Sequence, residues 1–299
     1  MAKVVRTISA DASVTATAID AKDIVSRIEE IHKTSAVVTA ALGRLSIAAS
    51  LMGMGMKNTS DSLTLRMNGN GPTGALIAVA DGLGNVKSYV VNPVVEIPLN
   101  KYGKLDVAGA VGRDGTLSVV KDMGLKEPYC GQVPIVSGEI AEDIANYYAV
   151  SEQTPTVCGL GVLVNPDLTV RAAGGFLIQL LPFAEDRVID ILEKNINDLP
   201  SVTQMLDSGV TAEEMAMKVL EGLEPNILDS FDCEYRCDCS REKVEKALIS
   251  VGKTELNRMA DEDENTEVCC QFCDRKYNFS SDEIRDLAQK ADSSDDDEE

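Results

Sequence analysis

The sequence predicts an α+β protein. An N-terminal mixed domain with a large, mainly antiparallel sheet packed with helices is followed by a helical linker and a small C-terminal cysteine-bearing domain. Three observations predict this. Leu63, Leu65 and Met67 alternate with Thr64 and Arg66, the period-two pattern of a half-buried strand. Ile24, Val25, Ile28 and Ile31 recur at helical spacing. Six of the eight cysteines fall between Cys233 and Cys273. The expected divisions are residues 1–182 for the core domain, 183–230 for the linker, 231–290 for the cysteine unit and 291–299 for an acidic, disordered tail.

Taken in order, residues 20–56 read as helical, apolar-spaced at first and Ala-rich from Ala36 onward. Strands follow at 63–67, 76–80 and 86–91, with Asp81-Gly82 and Gly84-Asn85 as turn signals. Residues 104–111 and 116–120 flank Arg113-Asp114-Gly115 and read as a hairpin. Ile140, Ile144 and Tyr148 share a face of a helix over 137–148, and strand character returns at 157–164 and 169–181. In the linker, Val188, Leu192, Ile196 and Leu199 form one apolar helix face that Pro200 ends. A second helix opens at Thr211 with Glu214 three residues later, a capping box. Two short amphipathic helices must dock on another apolar surface to be stable.

The chain has 299 residues and a net charge of −21, with 49 acidic and 28 basic residues. That balance disfavours nucleic acid and anionic membranes, which need clustered Lys and Arg. Tryptophan is absent and aromatics are 4% of residues, so a base-stacking platform is not expected. Five acids lie in 261–267 and six in 292–299, which leaves the folded body only moderately acidic. No apolar signal segment follows Met1. The longest weakly polar stretch, 35–56, carries Arg44 near its middle and reads as a buried core helix rather than a membrane span. A cytoplasmic protein is expected, and there eight reduced cysteines point to metal or redox chemistry.

Two close pairs carry that chemistry: Cys237-Asp238-Cys239 and Cys270-Gln271-Phe272-Cys273, with 30 residues between them. Four thiolates in two local pairs suit one tetrahedral zinc ion, because local pairing lowers the entropy of assembling soft sulfur ligands. A unit of about 60 residues also needs such a staple to fold. Arg236, Arg241, Arg275 and Lys276 flank the pairs and can offset the charge of a four-thiolate site. Oxidation to disulfides would expel the metal and remove its folding free energy. The competing reading is a permanently structural zinc knuckle. Cys233 and Cys269 are spare and could substitute as ligands or form another disulfide.

The stretch from Cys237 to Val244, with Ala247-Leu248 and Gly252 to Leu256, resembles the zinc domain of the heat shock protein 33 family. So does Val268 to Cys273, followed by Tyr277 and Phe279. Upstream, Gly43-Arg44, Gly69 to Gly74, Tyr89 to Pro93, Ser151-Glu152-Gln153-Thr154-Pro155, Gly174-Gly175-Phe176 and Gln179 to Pro182 look like that family's first domain. The likeness spans nearly the whole chain; Cys233, Cys269 and the acidic tail depart from it. The resemblance implies a redox-regulated, ATP-independent holdase chaperone, compact and inactive when reduced and zinc-bound. It implies oxidation to Cys237–Cys239 and Cys270–Cys273 disulfides, zinc release, unfolding of the C-terminal unit, exposure of apolar surface to unfolding client proteins, and a homodimer when active.

Rival readings are a thiol-disulfide oxidoreductase using Cys270 and Cys273, and a zinc-ribbon nucleic-acid binder, which the net charge opposes. Gly69 to Gly74 matches GxGxxG literally, but Ala75 to Ala80 reads as a strand where a dinucleotide loop requires a helix. No Walker loop marks an ATP site. His32, the single histidine, reads as a solvated helical residue. Met52, Met54 and Met56 read as core, Cys130 and Cys158 as buried small hydrophobes, and 261–267 as a solvated, mobile loop.

Overall fold

The computed structural model describes residues 1–182 and 184–295, in two compact units, Met1–Arg236 and Cys237–Glu299. Residues 231–236, expected with the cysteine unit, belong to the first unit.

The first unit opens with strands β1 (Ala2–Ile8) and β2 (Val14–Asp20), neither of which the sequence pattern revealed. Helices α1 (Lys22–His32) and α2 (Ala36–Gly53) follow, separated where Lys33 turns left-handed at φ 51°. The single helical stretch expected over 20–56 is therefore two helices entered from a strand. Next come β3 (Ser62–Asn70), β4 (Leu76–Asp81), β5 (Val86–Val90), helix α3 (Val107–Val111), β6 (Gly112–Asp122), β7 (Tyr129–Pro134), α4 (Ala141–Tyr147) and a π-helical turn (Tyr148–Glu152). Strands β8 (Thr156–Val164) and β9 (Val170–Leu180), helices α5 (Asp186–Asp198), α6 (Val202–Asp207) and α7 (Ala212–Val219), and strand β10 (Asn226–Cys233) complete it.

Two antiparallel sheets result, ordered β10-β1-β2-β9-β8 and β5-β4-β3-β6-β7. Helix α2 packs against strands of both, and 16 of its 18 residues are buried, Met52 included. It is long and apolar enough to cross a membrane, yet 89% of it is buried inside the protein, as expected of a core helix. The first sheet is covered on both faces. Val4, Ile19 and Leu177 join the core around α1 and α2, whereas Val5, Ala16, Ala18, Phe176 and Ile178 meet Val188, Leu192, Met205, Met215 and Val219 of the linker helices. Those helices thus dock as their amphipathic faces require. The Thr211 capping box forms, with Glu214 N–H donating to Thr211 Oγ1 at 3.2 Å. The short α6, capped by Ser201, was not legible in the sequence.

Around the first glycine motif the structure corrects the expected hairpin. Residues 104–111 were expected as a strand, but Asp106 accepts the Gly109 N–H at 3.0 Å and caps α3 instead. Residues 113–115 run inside β6, whose hairpin partner is β7. Glycine is needed at position 112: φ is +82°, and a Cβ there would lie 2.1 Å from the Gly69 carbonyl oxygen. Gly69 to Gly74 ends β3 and leads into β4, its backbone passing close to that of residues 110–112, with no helix following.

The second unit contains α8 (Arg241–Ile249), α9 (Lys253–Glu262), β11 (Asn265–Cys269), β12 (Lys276–Ser280) and α10 (Ser281–Asp295). Leu248, Leu256, Phe279, Ile284 and Leu287 form its small core. The loop expected at 261–267 is instead the end of α9 and the start of β11. Apolar contacts on Leu256 and Ala260 hold that helix although its acidic end is solvated. The tail expected from 291 is helical to Asp295, and 296–299 lie outside the described residues.

Candidate metal centre

Each cysteine pair is presented by an element end. Cys237 and Cys239 precede α8, whose first turn is closed by Ser240, its Oγ accepting the Lys243 N–H at 3.3 Å. Cys270 and Cys273 lie in the turn between β11 and β12, which pair antiparallel with Val268 opposite Tyr277. The Cys270 carbonyl accepts the N–H of Cys273 at 3.3 Å and of Asp274 at 2.9 Å, while the Cys270 N–H donates to the Arg275 carbonyl at 2.9 Å. Asp274 takes φ 56° to close this turn. Both sulfurs of the pair are thereby held on one side of a tight hairpin.

The four sulfurs of Cys237, Cys239, Cys270 and Cys273 all lie within 4.8 Å of one another. Cys237 Sγ is 3.7 Å from Cys270 Sγ, and Cys239 Sγ is 3.4 Å from Cys273 Sγ. A tetrahedral ion with Zn–S bonds of about 2.3 Å places its sulfurs about 3.8 Å apart, so donor type and spacing both fit zinc. All four thiols are partly buried. Burial raises the pKa of Cys237 and Cys273 above that of an ordinary thiol. Burial acts the same way on Cys239, but hydrogen bonds from the Tyr277 hydroxyl and the neighbouring thiols outweigh it and bring Cys239 down to about 7.

The flanking cations take different partners. Arg275 Nη1 donates to the Cys239 carbonyl at 3.3 Å. Arg241 stacks over the Phe279 ring at 4.2 Å and pairs with Glu283 at 2.6 Å, and Lys276 pairs with Glu267 at 2.8 Å. Arg236 falls in the first unit. Arg241 therefore joins α8, β12 and α10, Lys276 joins β12 to β11, and Arg275 stays beside the cysteines. Tyr277 is the functional side chain that charge and spacing did not single out; a hydroxyl four residues past a cysteine pair was the available signal.

The other cysteines separate from this cluster. Cys233, open in the sequence as a substitute ligand, is a fully buried residue of β10 opposite Ala2, and burial pushes its thiol up to about 11. Cys269 ends β11 and is exposed. Cys130, expected to be buried, is exposed on β7, because β7 closes the edge of its sheet. Cys158 is half-buried, its thiol pushed up to about 12 by desolvation. His32 is not the solvated residue expected: its Nε2 lies 2.8 Å from the Ser88 carbonyl oxygen. Cys270 and Cys273 follow a strand and precede another, without the strand-to-helix setting of a thioredoxin-like pair.

Comparison with known proteins places these features in a family. The family model for the Hsp33 protein matches residues 2–280. A 33 kDa chaperonin of Clostridioides difficile (strain 630) is 47% identical over 287 residues, spanning 96% of this chain and 98% of its own. One from Agathobacter rectalis is 47% identical over 284 residues, spanning 95% and 98%. The crystal structure of the 33 kDa chaperonin (heat shock protein 33 homolog) from Thermotoga maritima aligns with a TM-score of 0.88 at 37% identity, over 97% of this chain and 99% of that one. By sequence along nearly its whole length, and by fold, this chain belongs to the Hsp33 family.

Proposed function

We propose that the chain is a redox-regulated, ATP-independent holdase that keeps unfolding proteins from aggregating. The observation that carries this reading is the gathering of Cys237, Cys239, Cys270 and Cys273 within 4.8 Å. When bound there, zinc would keep the four sulfurs as thiolates and tie the segment before α8 to the β11–β12 turn. The chain's own residues supply the rest: Ser240 and the 270–275 turn aim the sulfurs, and Tyr277 donates to Cys239.

Two equivalents of a peroxide oxidise the four thiols. In each pair one thiolate attacks a peroxide oxygen, the O–O bond breaks, and a sulfenic acid forms as an alcohol or water leaves. The second thiol of the pair then displaces water from that sulfur and closes the disulfide. The family resemblance implies the disulfides Cys237–Cys239 and Cys270–Cys273. Both bonds are local, so neither a metal nor a covalent bond then joins the two segments, and the unit is left with the small core around Leu256 and Phe279 and the polar contacts of Arg241 and Arg275. Its unfolding removes the fold that directly follows β10 and the linker helices. Release of α5, α6 and α7 would uncover Val5, Ala18, Phe176 and Ile178, an apolar surface able to hold unfolding clients.

Action in the cytoplasm, a homodimer in the oxidised state, and no nucleic acid, membrane or turnover chemistry complete the reading. The test follows zinc release, free-thiol count and suppression of client aggregation together during peroxide treatment. One zinc released per chain, four thiols lost and aggregation suppression gained in step is the expected result. Equal suppression by reduced and oxidised protein would sink the switch.

A further inference from the structure

We infer that a cavity in the first unit binds a small aliphatic monocarboxylate. The cavity, about 470 Å³, lies among α2, the loop before α3, strand β8 and the start of α6. Its volume is within the range of about 300–1,000 Å³ typical of small-ligand pockets. Leu105, Leu160, Val162 and Val202 give it an apolar lining. In a chain of net charge −21, its charged lining residues, among those described, are two cations, Arg44 and Lys104.

Arg44 carries the argument. Its side chain is only 20% exposed, and its Nη1 pairs with Glu139 Oε2 at 2.5 Å and reaches the Glu139 carbonyl at 3.4 Å. Its Nε is buried with no hydrogen-bond partner. A guanidinium has five N–H donors in a planar fork that matches a carboxylate, so one pairing leaves much of that capacity unused. A buried N–H without a partner is costly and calls for an explanation. An anion in the cavity beside Arg44 supplies acceptors to the accessible part of this fork that Glu139 leaves free.

Charge and shape select the class. Glu139 neutralises Arg44, and the exposed Lys104 leaves the site one positive charge, which matches a single carboxylate rather than a phosphate dianion. Among the described residues, the cavity lining includes no aromatic ring for a flat ligand to stack on. Hydrocarbon against leucine and valine, with the carboxylate between Arg44 and Lys104, satisfies both halves of the cavity.

The test titrates decanoate, below its micelle concentration, into the reduced, zinc-loaded full chain by calorimetry. Saturable binding at one site is expected, with decanol binding at least about tenfold more weakly. Lys104→Glu, at an exposed position, should weaken decanoate about tenfold or more, and Arg44→Lys, which keeps the charge and loses the fork, should also weaken it. If Arg44→Lys fails to fold, Lys104→Glu decides alone. Absence of saturable binding, equal affinity for decanol and decanoate, or unchanged affinity in Lys104→Glu each overturns the inference. None of these readouts involves aggregation suppression, so the outcome is independent of the redox reading.

Discussion

Tyr277 donates its phenolic hydroxyl to the sulfur of Cys239 at 3.1 Å. The pairing follows from β-register: Tyr277 sits opposite Val268, so the residue that continues the hairpin also supports a sulfur at the head of α8. Hydrogen bonds to a ligand sulfur stabilise its thiolate, and loss of such a supporting group typically costs about 10–100-fold in metal affinity. Tyr277→Phe should therefore bind zinc at least about tenfold more weakly in chelator competition. Unchanged affinity would show that the hydroxyl plays no part in holding the sulfur.

Cysteine roles can be separated by single substitution. Cys273→Ser should reduce bound zinc to well under one ion per chain, measured with a colorimetric chelator after thiol modification. Cys233→Ser and Cys269→Ser should retain it, since one is buried opposite Ala2 and the other is exposed outside the cluster. Zinc loss in either of these would contradict the four-sulfur assignment.

Metal removal should melt the second unit selectively. Chelation at neutral pH ought to abolish amide-exchange protection in α8, α9 and α10 while α2 stays protected, because α2 is buried between strands of two sheets. Full protection of α9 after zinc is stripped would mean that its apolar core suffices.

Docking of the linker can be weakened without touching a cysteine. Met215 is fully buried against the first sheet. Met215→Ala should cost about 2–5 kcal/mol. On the proposed function, it should also raise binding of an apolar dye and give partial aggregation suppression in the reduced protein. Loss of stability without either gain would separate the linker from client binding.

Acid stability has an identifiable contributor in Glu152. Its partial burial opposes ionisation, but Lys121 at 2.6 Å and the Tyr147 hydroxyl at 2.5 Å outweigh this and hold its pKa below the ordinary 4.5. A depressed carboxylate pKa contributes stability that is fully present above the unfolded value of 4.5 and is lost as pH falls through the lower folded value. Glu152→Gln should consequently lower the urea midpoint at pH 7, and the gap from the parent should shrink at progressively lower pH. A constant gap would exclude ionisation as the cause.

The zinc-binding candidates were legible because metal ligation demands particular residue types at short spacing, and the two cysteine pairs satisfy that locally. Strands β3 and β4 were legible for a related reason: one face of each is buried and the other is not, so their side chains alternate. Strand β1 escaped notice because its sheet is covered on both faces, with Val4 in one core and Val5 in the other. Burial on both faces erases a period-two signal. The π-helical turn and α6 are too short to impose periodicity.

By itself, the sequence determined the α+β class, the linker's need for a docking surface and the four sulfurs suited to one metal ion. Those properties are written in residue type and local spacing. Tertiary structure alone decided that Cys233 is core and Cys269 is outside the cluster, that Tyr277 reaches Cys239, and that Arg44 faces a cavity with donors to spare. Each depends on residues far apart in the chain meeting across a sheet register or a helix crossing, which no local pattern encodes.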